Sequence, residues 1–372
     1  MPAFAYLDHN ATSPLRPAAF DAMAEALRAG GNPSSVHRAG RAARAGVDKA
    51  RGQVAALVGA LPSEVVFTSG GTEANNAALA GAGCKRMLVS AVEHDSVLKA
   101  ATGMEIVPVD GNGVVDLGVL EESLAASAEP ALVSVMFANN ETGVLQPMAD
   151  VVRVARAAGA LVHCDAVQGA GKVPVDLHGL GVDYLSLSAH KFGGPSGVGA
   201  LVVRSGAPFV ADRLGGGQES NRRAGTENVA GIAGFGVAAS EARNGLATTD
   251  WRDQLEAALL KIVPAARVYG ATAGRLPNTT CISMPGVRAE TQVMALDLAG
   301  ICVSAGAACS SGKVTRSAVL LAMGVEPAEA ETALRISFGW NTCFDDIERL
   351  IAAWRDLYIR VTHSDITHAR AA

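Results

Sequence analysis

Aromatic residues are scarce in this sequence, at 4% of 372 residues, and charged residues make up only 18%. Since 49% of the chain is apolar, a sizeable core can still be buried, but it has to be built mainly from Ala, Val and Leu. A basic surplus is also missing. The formal net charge is −5, so no global positive field exists to hold nucleic acid, and no direct nucleic-acid partner is expected. No uncharged apolar run reaches the roughly 18–20 residues that a membrane span needs. Met1-Pro2-Ala3-Phe4-Ala5-Tyr6-Leu7-Asp8-His9-Asn10 has neither a basic stretch nor an apolar one, so no signal peptide is expected and the cytoplasm is the expected location. The six cysteines, Cys84, Cys164, Cys281, Cys302, Cys309 and Cys343, form no CxxC pair and no clustered metal spacing, which predicts reduced thiols and no resident metal site.

Short apolar runs do recur, separated by Ala-rich helical stretches. Val65-Val66-Phe67, Met87-Leu88-Val89, Ala131-Leu132-Val133-Ser134-Val135-Met136, Ala160-Leu161-Val162-His163-Cys164, Tyr184-Leu185-Ser186-Leu187 and Val198-Gly199-Ala200-Leu201-Val202-Val203 read as buried strands. Helical patterns such as 151–158 lie between several of them, and strands apolar on both faces predict an α/β domain with a largely parallel sheet. After a Gly-rich stretch at 214–218 and a helix over 228–242, the pattern changes to a smaller α+β arrangement with strands at Cys281-Ile282-Ser283-Met284 and Leu334-Arg335-Ile336-Ser337-Phe338. The tail after about Thr362 reads as disordered.

Three strand ends carry candidate chemistry. At Thr68-Ser69-Gly70-Gly71-Thr72-Glu73 a strand turns into a helix through two glycines, which aims free amides and a helix dipole at one point and suits a phosphate. The turn is neither G-x-G-x-x-G nor a P-loop, which disfavours a nicotinamide dehydrogenase. Ser186-Leu187-Ser188-Ala189-His190-Lys191 delivers a lysine able to form a Schiff base at a strand's C-terminal end, where ligands of open α/β sheets collect. Alone, it would also read as a solvated lysine. Asp165, closing His163-Cys164-Asp165, needs a partner if buried, although such a residue often caps the next helix instead.

In order along the chain, the phosphate turn, His94, Asn139-Asn140-Glu141, Asp165 and Lys191 each sit at or just after a strand end. This series resembles the fold-type I, aspartate aminotransferase-like enzymes of pyridoxal 5'-phosphate, and within them the cysteine desulfurases of the NifS/IscS class in the class-V aminotransferase family. The resemblance runs nearly the full length, through Tyr6-Leu7-Asp8-His9-Asn10-Ala11-Thr12, Gly31-Asn32-Pro33-Ser34-Ser35-Val36-His37, Val92-Glu93-His94, Asn139-Asn140-Glu141-Thr142-Gly143, Arg223-Ala224-Gly225-Thr226 and the stretch 304–312. It implies a large cofactor-binding domain over 12–245 and a small domain from 1–11 and 246–372 that carries the reactive cysteine. Lys191 would hold the cofactor as a Schiff base, and Gly71, Thr72, Ser188 and His190 would grip its phosphate. Asp165 would pair with the pyridine nitrogen, Gln168 would meet the ring hydroxyl and His94 would stack on the ring. Asn140 would lie near ring and substrate carboxylate, and Arg335 would clamp that carboxylate. Thr226 would reach the cofactor of a second subunit, making the enzyme a homodimer.

By the same resemblance Cys309 is the nucleophile that takes sulfur from L-cysteine as a persulfide, leaving alanine. Its neighbours in Ala305-Gly306-Ala307-Ala308-Cys309-Ser310-Ser311-Gly312 are small, which suits an exposed, mobile segment that hands sulfur on. Many relatives read Ser-Gly-Ser-Ala-Cys there, and many have Gly where Ala189 precedes His190. The acceptor would be an iron–sulfur scaffold or another sulfur-acceptor protein, and Cys309 is a candidate transient ligand for a nascent cluster. Selenocysteine lyase and aminotransferase are the rivals on the same fold, and a non-catalytic assembly platform is a third. Lys191 speaks against the platform and the Cys309 loop against the other two.

Overall fold

The computed structural model describes residues 4–306 and 316–369, the side chains of 363–369 excepted. Seven strands form the main sheet, in the spatial order Val65–Thr68, Gly199–Val203, Tyr184–Ser188, Leu161–Asp165, Ala131–Ser134, Arg86–Ser90 and Glu105–Val107. Side chains alternate across it. Val65 and Phe67 join Leu88, Val133, Val162 and Leu185 in one apolar cluster, while Val66 joins Val89, Leu132, Tyr184 and Leu201 in another on the opposite face. The helix Gly71–Gly81 packs Ala74, Ala77, Ala78 and Leu79 into that second cluster.

The sheet is mixed, with a largely parallel body. Gly199–Val203 runs antiparallel to both of its neighbours, whereas the remaining pairs are parallel. The reason lies in the connection. Tyr184–Ser188 returns through the short turn that holds Lys191, too short for the crossover that a parallel partner requires.

On the first face the helix Val229–Ala242 lies against Pro17–Ala29 and Arg38–Leu57. A methyl group at Gly236 would meet the Ala50 backbone at 2.7 Å, so glycine permits an approach that alanine would not. Few aromatics serve this core, and they meet at one place. Phe235 is buried against Phe67 and Phe192, with ring centroids 6.1 and 5.8 Å away.

A three-stranded antiparallel sheet, in the order Ser304–Ala305, Ala333–Ser337, Thr279–Ser283, has its own core with Leu255, Leu259, Ile336, Leu350 and Trp354. Ala5 and Leu7 belong to that core, since Ala5–Tyr6 pairs in parallel with Ile301–Cys302. The disordered tail expected after Thr362 is corrected by the helix Phe344–Ala369, which continues through it. Residues 362–369 hold no Gly or Pro to stop it. Among the described residues, no helix is long and apolar enough to cross a membrane.

Phe235→Ala should destabilise the fold by about 3–5 kcal/mol, because it opens a cavity where three rings meet. Urea unfolding followed by far-UV circular dichroism measures it, and a loss under about 1 kcal/mol would mean that this ring cluster does not hold the helix to the sheet.

Candidate active site

A cavity of about 280 Å³ opens at the C-terminal ends of the parallel strands. Gly71, Thr72, His94, Asn140, Asp165, Gln168, Ser188, His190, Lys191 and Arg335 all line it, so the structure gathers ten sequence-predicted residues in one place. Thr226 is not among them. It lines a separate cavity of about 150 Å³ beside Ser69, Glu219 and Arg223. Cys309 lies outside the described residues.

Asp165 is 5% exposed at the end of Leu161–Asp165. Its Oδ2 accepts from Asn75 Nδ2 at 2.7 Å and its Oδ1 from the Val167 amide at 3.0 Å. Both donors are neutral, and among the described residues no cation forms an ion pair with it. A buried carboxylate so placed suits a cationic N–H in the cavity. Asn75, which sequence reasoning missed, also donates to Ser96 Oγ at 2.8 Å. The Ser96 hydroxyl lies 2.7 Å from His94 Nδ1, which also accepts the Ser96 amide at 3.0 Å. Since Nδ1 accepts a backbone N–H, the ring proton of neutral His94 sits on Nε2.

Gly71 begins its helix against the turn that follows Asp165 and the end of the strand Tyr184–Ser188. A methyl group there would meet Val167 Cγ2 at 2.9 Å and Ser188 Cβ at 3.4 Å. Glu73 reaches back to the Ser69 amide at 2.8 Å, and the first intrahelical bond runs from the Ala74 amide to the Gly70 carbonyl. The amides of Gly71 and Thr72 therefore have no partner within the helix, as suits an anion. His190 shares a 3.1 Å bond with Thr12 Oγ1, and burial together with the neighbouring Lys191 pushes its pKa down to about 4. Lys191 Nζ donates to the carbonyls of Asn10 at 2.7 Å and Ala11 at 2.9 Å.

Arg335 comes from the central strand of the small sheet and is 2% exposed. It pairs with Asp8 at 2.7 Å and donates to the Asn140 carbonyl at 3.3 Å, while its buried Nε has no acceptor among the described residues. The Asn140 turn is built by Asn139, whose Oδ1 accepts the amides of Glu141 and Thr142, both at 2.9 Å. Glu141 receives the Ser317 hydroxyl at 2.5 Å, and a methyl group at Gly306 would meet the same carboxylate at 2.5 Å. Thus both described flanks of the segment that holds Cys309 converge beside Asn140.

Beneath His94, Glu93 is wholly enclosed. Its Oε1 accepts from Ser90 Oγ and the Met136 amide, each at 2.6 Å, and its Oε2 has no partner among the described residues. Burial, aided by the nearby Asp165 charge, pushes its pKa up to about 8. Among the described residues no group of three or more His, Cys, Asp or Glu side chains could hold a metal ion.

The family model for aminotransferase class-V matches residues 5–350. A curated cysteine desulfurase of Cereibacter sphaeroides is 46% identical over 363 residues, covering 93% of both chains. The cysteine desulfurase IscS of Dictyoglomus turgidum is 40% identical and covers 92% of this chain and 91% of its own. Among solved structures, a NifS-like protein from Rickettsia africae superposes with a TM-score of 0.88 at 36% identity, over 95% of this chain and 99% of that one.

Folded Glu93 keeps its proton up to about pH 8, whereas an ordinary glutamate releases it near 4.5. Between those values the folded protein binds more protons than the unfolded chain, so stability should fall as pH rises through that window. Glu93→Gln should flatten the slope, as read from urea midpoints at about pH 5 and about pH 8. A slope unchanged by the substitution would assign the loss to other groups.

Proposed function

The chain belongs to the class-V aminotransferase family, and from that membership we propose that it is a cysteine desulfurase that works with pyridoxal 5'-phosphate in the cavity lined by Lys191 and Asp165. The observation that carries this reading is Asp165, a buried carboxylate held only by neutral donors at one end of a cavity whose other side presents a lysine. A protonated pyridine nitrogen is the partner its chemistry fits. When bound, the cofactor supplies an electron sink for the carbon that loses its proton.

The protein's own groups do the rest. Gly71 and Thr72 would offer amides, with Ser188 and His190, to the cofactor's phosphate. His94 would face the ring and Gln168 its hydroxyl. Asn140 and Arg335 bind the substrate carboxylate, the guanidinium giving a directional, charge-assisted contact. Lys191 Nζ would carry the proton taken from the substrate's α-carbon. The Cys309 thiolate then forms an S–S bond to the substrate sulfur. The C–S bond breaks with its electron pair left on carbon, which is protonated to give alanine, and Cys309 keeps the persulfide.

Three further readings accompany this one. Two core clusters, one built from Ala19 to Ala242 and the other from Ala5, Leu7 and residues after Leu255, support a large domain over 12–245 and a small one from 1–11 and 246–372. The separate position of Thr226 supports a homodimer in which that residue serves the neighbouring cavity. The persulfide sulfur passes to an iron–sulfur scaffold or other acceptor in the cytoplasm, with Cys309 a candidate transient cluster ligand.

Wild-type protein loaded with pyridoxal phosphate should release alanine and sulfide in equal amounts from L-cysteine with a reductant, and Cys309→Ala should keep the cofactor and release neither. Equal turnover by the variant would sink the persulfide mechanism and leave a lyase or transaminase on this fold. Arg335→Met should raise KM for cysteine by about 10- to 100-fold, the value of one charge-assisted contact. Steady-state kinetics reads this, and an unchanged KM would remove Arg335 from substrate binding.

A further inference from the structure

Lys172 is a buried lysine for which the proposed reaction has no use, although it stands beside the site. It is 3% exposed and lies four residues beyond Gln168. Its Nζ donates to Gln168 Oε1 at 2.5 Å and to Asn10 Oδ1 at 2.6 Å. Among the described residues no carboxylate pairs with it, and burial together with the neighbouring cations Lys191 and Arg335 pushes its pKa well below the usual lysine value. A buried lysine nitrogen facing two neutral oxygens is a costly way to fill space, and an unbranched apolar side chain would fill it at less cost.

What this nitrogen does that an apolar group cannot is donate. Both of its short contacts are to side-chain oxygens, so each amide facing it presents oxygen and not N–H. Gln168 therefore turns its NH₂ the other way, toward the cavity that it lines, where Nε2 donates to the Asn10 carbonyl at 2.9 Å. One N–H is used in that bond and the second is left for a ligand. Asn10 is set in the same manner. With Oδ1 on Lys172, its Nδ2 donates to the Asn140 carbonyl and to Thr279 Oγ1, at 3.1 and 3.0 Å.

We propose that Lys172 is a positioning residue that locks the Gln168 amide so that an N–H donor, and not an oxygen, faces the ring oxygen of the bound cofactor. The inference rests on the pyridoxal phosphate reading above. A donor there favours the anionic form of that oxygen, and so lowers the pH at which the bound chromophore loses its proton.

The test is a pH titration of the visible absorption of the protein with pyridoxal phosphate bound, for wild type, Lys172→Met and Gln168→Glu. Lys172→Met keeps the length of the side chain and should move the transition upward by about one unit, a tenfold change in the proton equilibrium. Gln168→Glu gives Lys172 an acidic partner, so its interior stays paired. It should move the transition in the same direction, because a carboxylate cannot donate. The other titratable groups near the cavity and Lys172, among them His9, Arg16, Glu93, His94, Asp165, His190, Lys191 and Arg335, are the same in all three proteins. A lower melting temperature for Lys172→Met with an unmoved transition would make Lys172 a purely structural anchor and overturn the proposal. Should Lys172→Met not fold, Gln168→Glu decides, and its unmoved transition overturns the donor assignment. Wild-type protein that takes up no pyridoxal phosphate overturns the cofactor reading, and the inference with it.

Discussion

Asn10 spends every polar atom it has on joining the two sheets. Its amide donates to Ser337 Oγ at 2.9 Å and its Nδ2 reaches Thr279, both in the small sheet. Its carbonyl receives Lys191 and Gln168, and its Oδ1 receives Lys172, all from the large sheet's side. Each of these groups is buried or nearly so, and each would lose a partner if the seam opened. The cavity exists because this seam holds Arg335, on one sheet, at a fixed distance from Asp165 and Lys191, on the other.

Charge is rationed in this chain and concentrated where it is expensive. Glu93, Asp165, Lys172 and Arg335 are almost fully enclosed around one cavity, together with Glu141, whose pKa burial raises. Farther back, His163 bridges Ser134 and Ser186 at 2.8 and 2.9 Å, and its burial pushes the pKa down to about 4. A neutral imidazole on the strand that carries Asp165 lets three neighbouring strands share hydrogen bonds without adding another charge. Such arrangements sacrifice stability for a cavity whose dipoles and charges are set before a ligand arrives.

Much of the large sheet was readable in the sequence because its strands are apolar on both faces, a pattern that survives without knowledge of partners. Asp165 and Lys191 stood out for the complementary reason: they are polar residues where apolar runs stop. The antiparallel strand was not readable, since an apolar run looks alike in either direction. Asn75 escaped notice inside an Ala-rich helix because its value comes from Asp165, 90 residues later. Lys172 sits in Gly169-Ala170-Gly171-Lys172, which in sequence looks like a solvated turn. In the fold it is 3% exposed and lines a small cavity together with Phe192 and Phe338.

The parallel pairing of Ala5–Tyr6 with Ile301–Cys302 has a consequence for how the molecule comes into being. Asp8 and Asn10 leave the ribosome long before Arg335 and Ser337, partners that stand 327 residues away along the chain. The large sheet can close over its core while the chain is still growing, since domains form as units in order of synthesis. The seam cannot. From the synthesis of Lys191 until that of Ser337 the nascent protein carries Lys191 without the complete set of small-sheet partners of Asn10, and it becomes a complete enzyme only when its last third folds back onto its first ten residues.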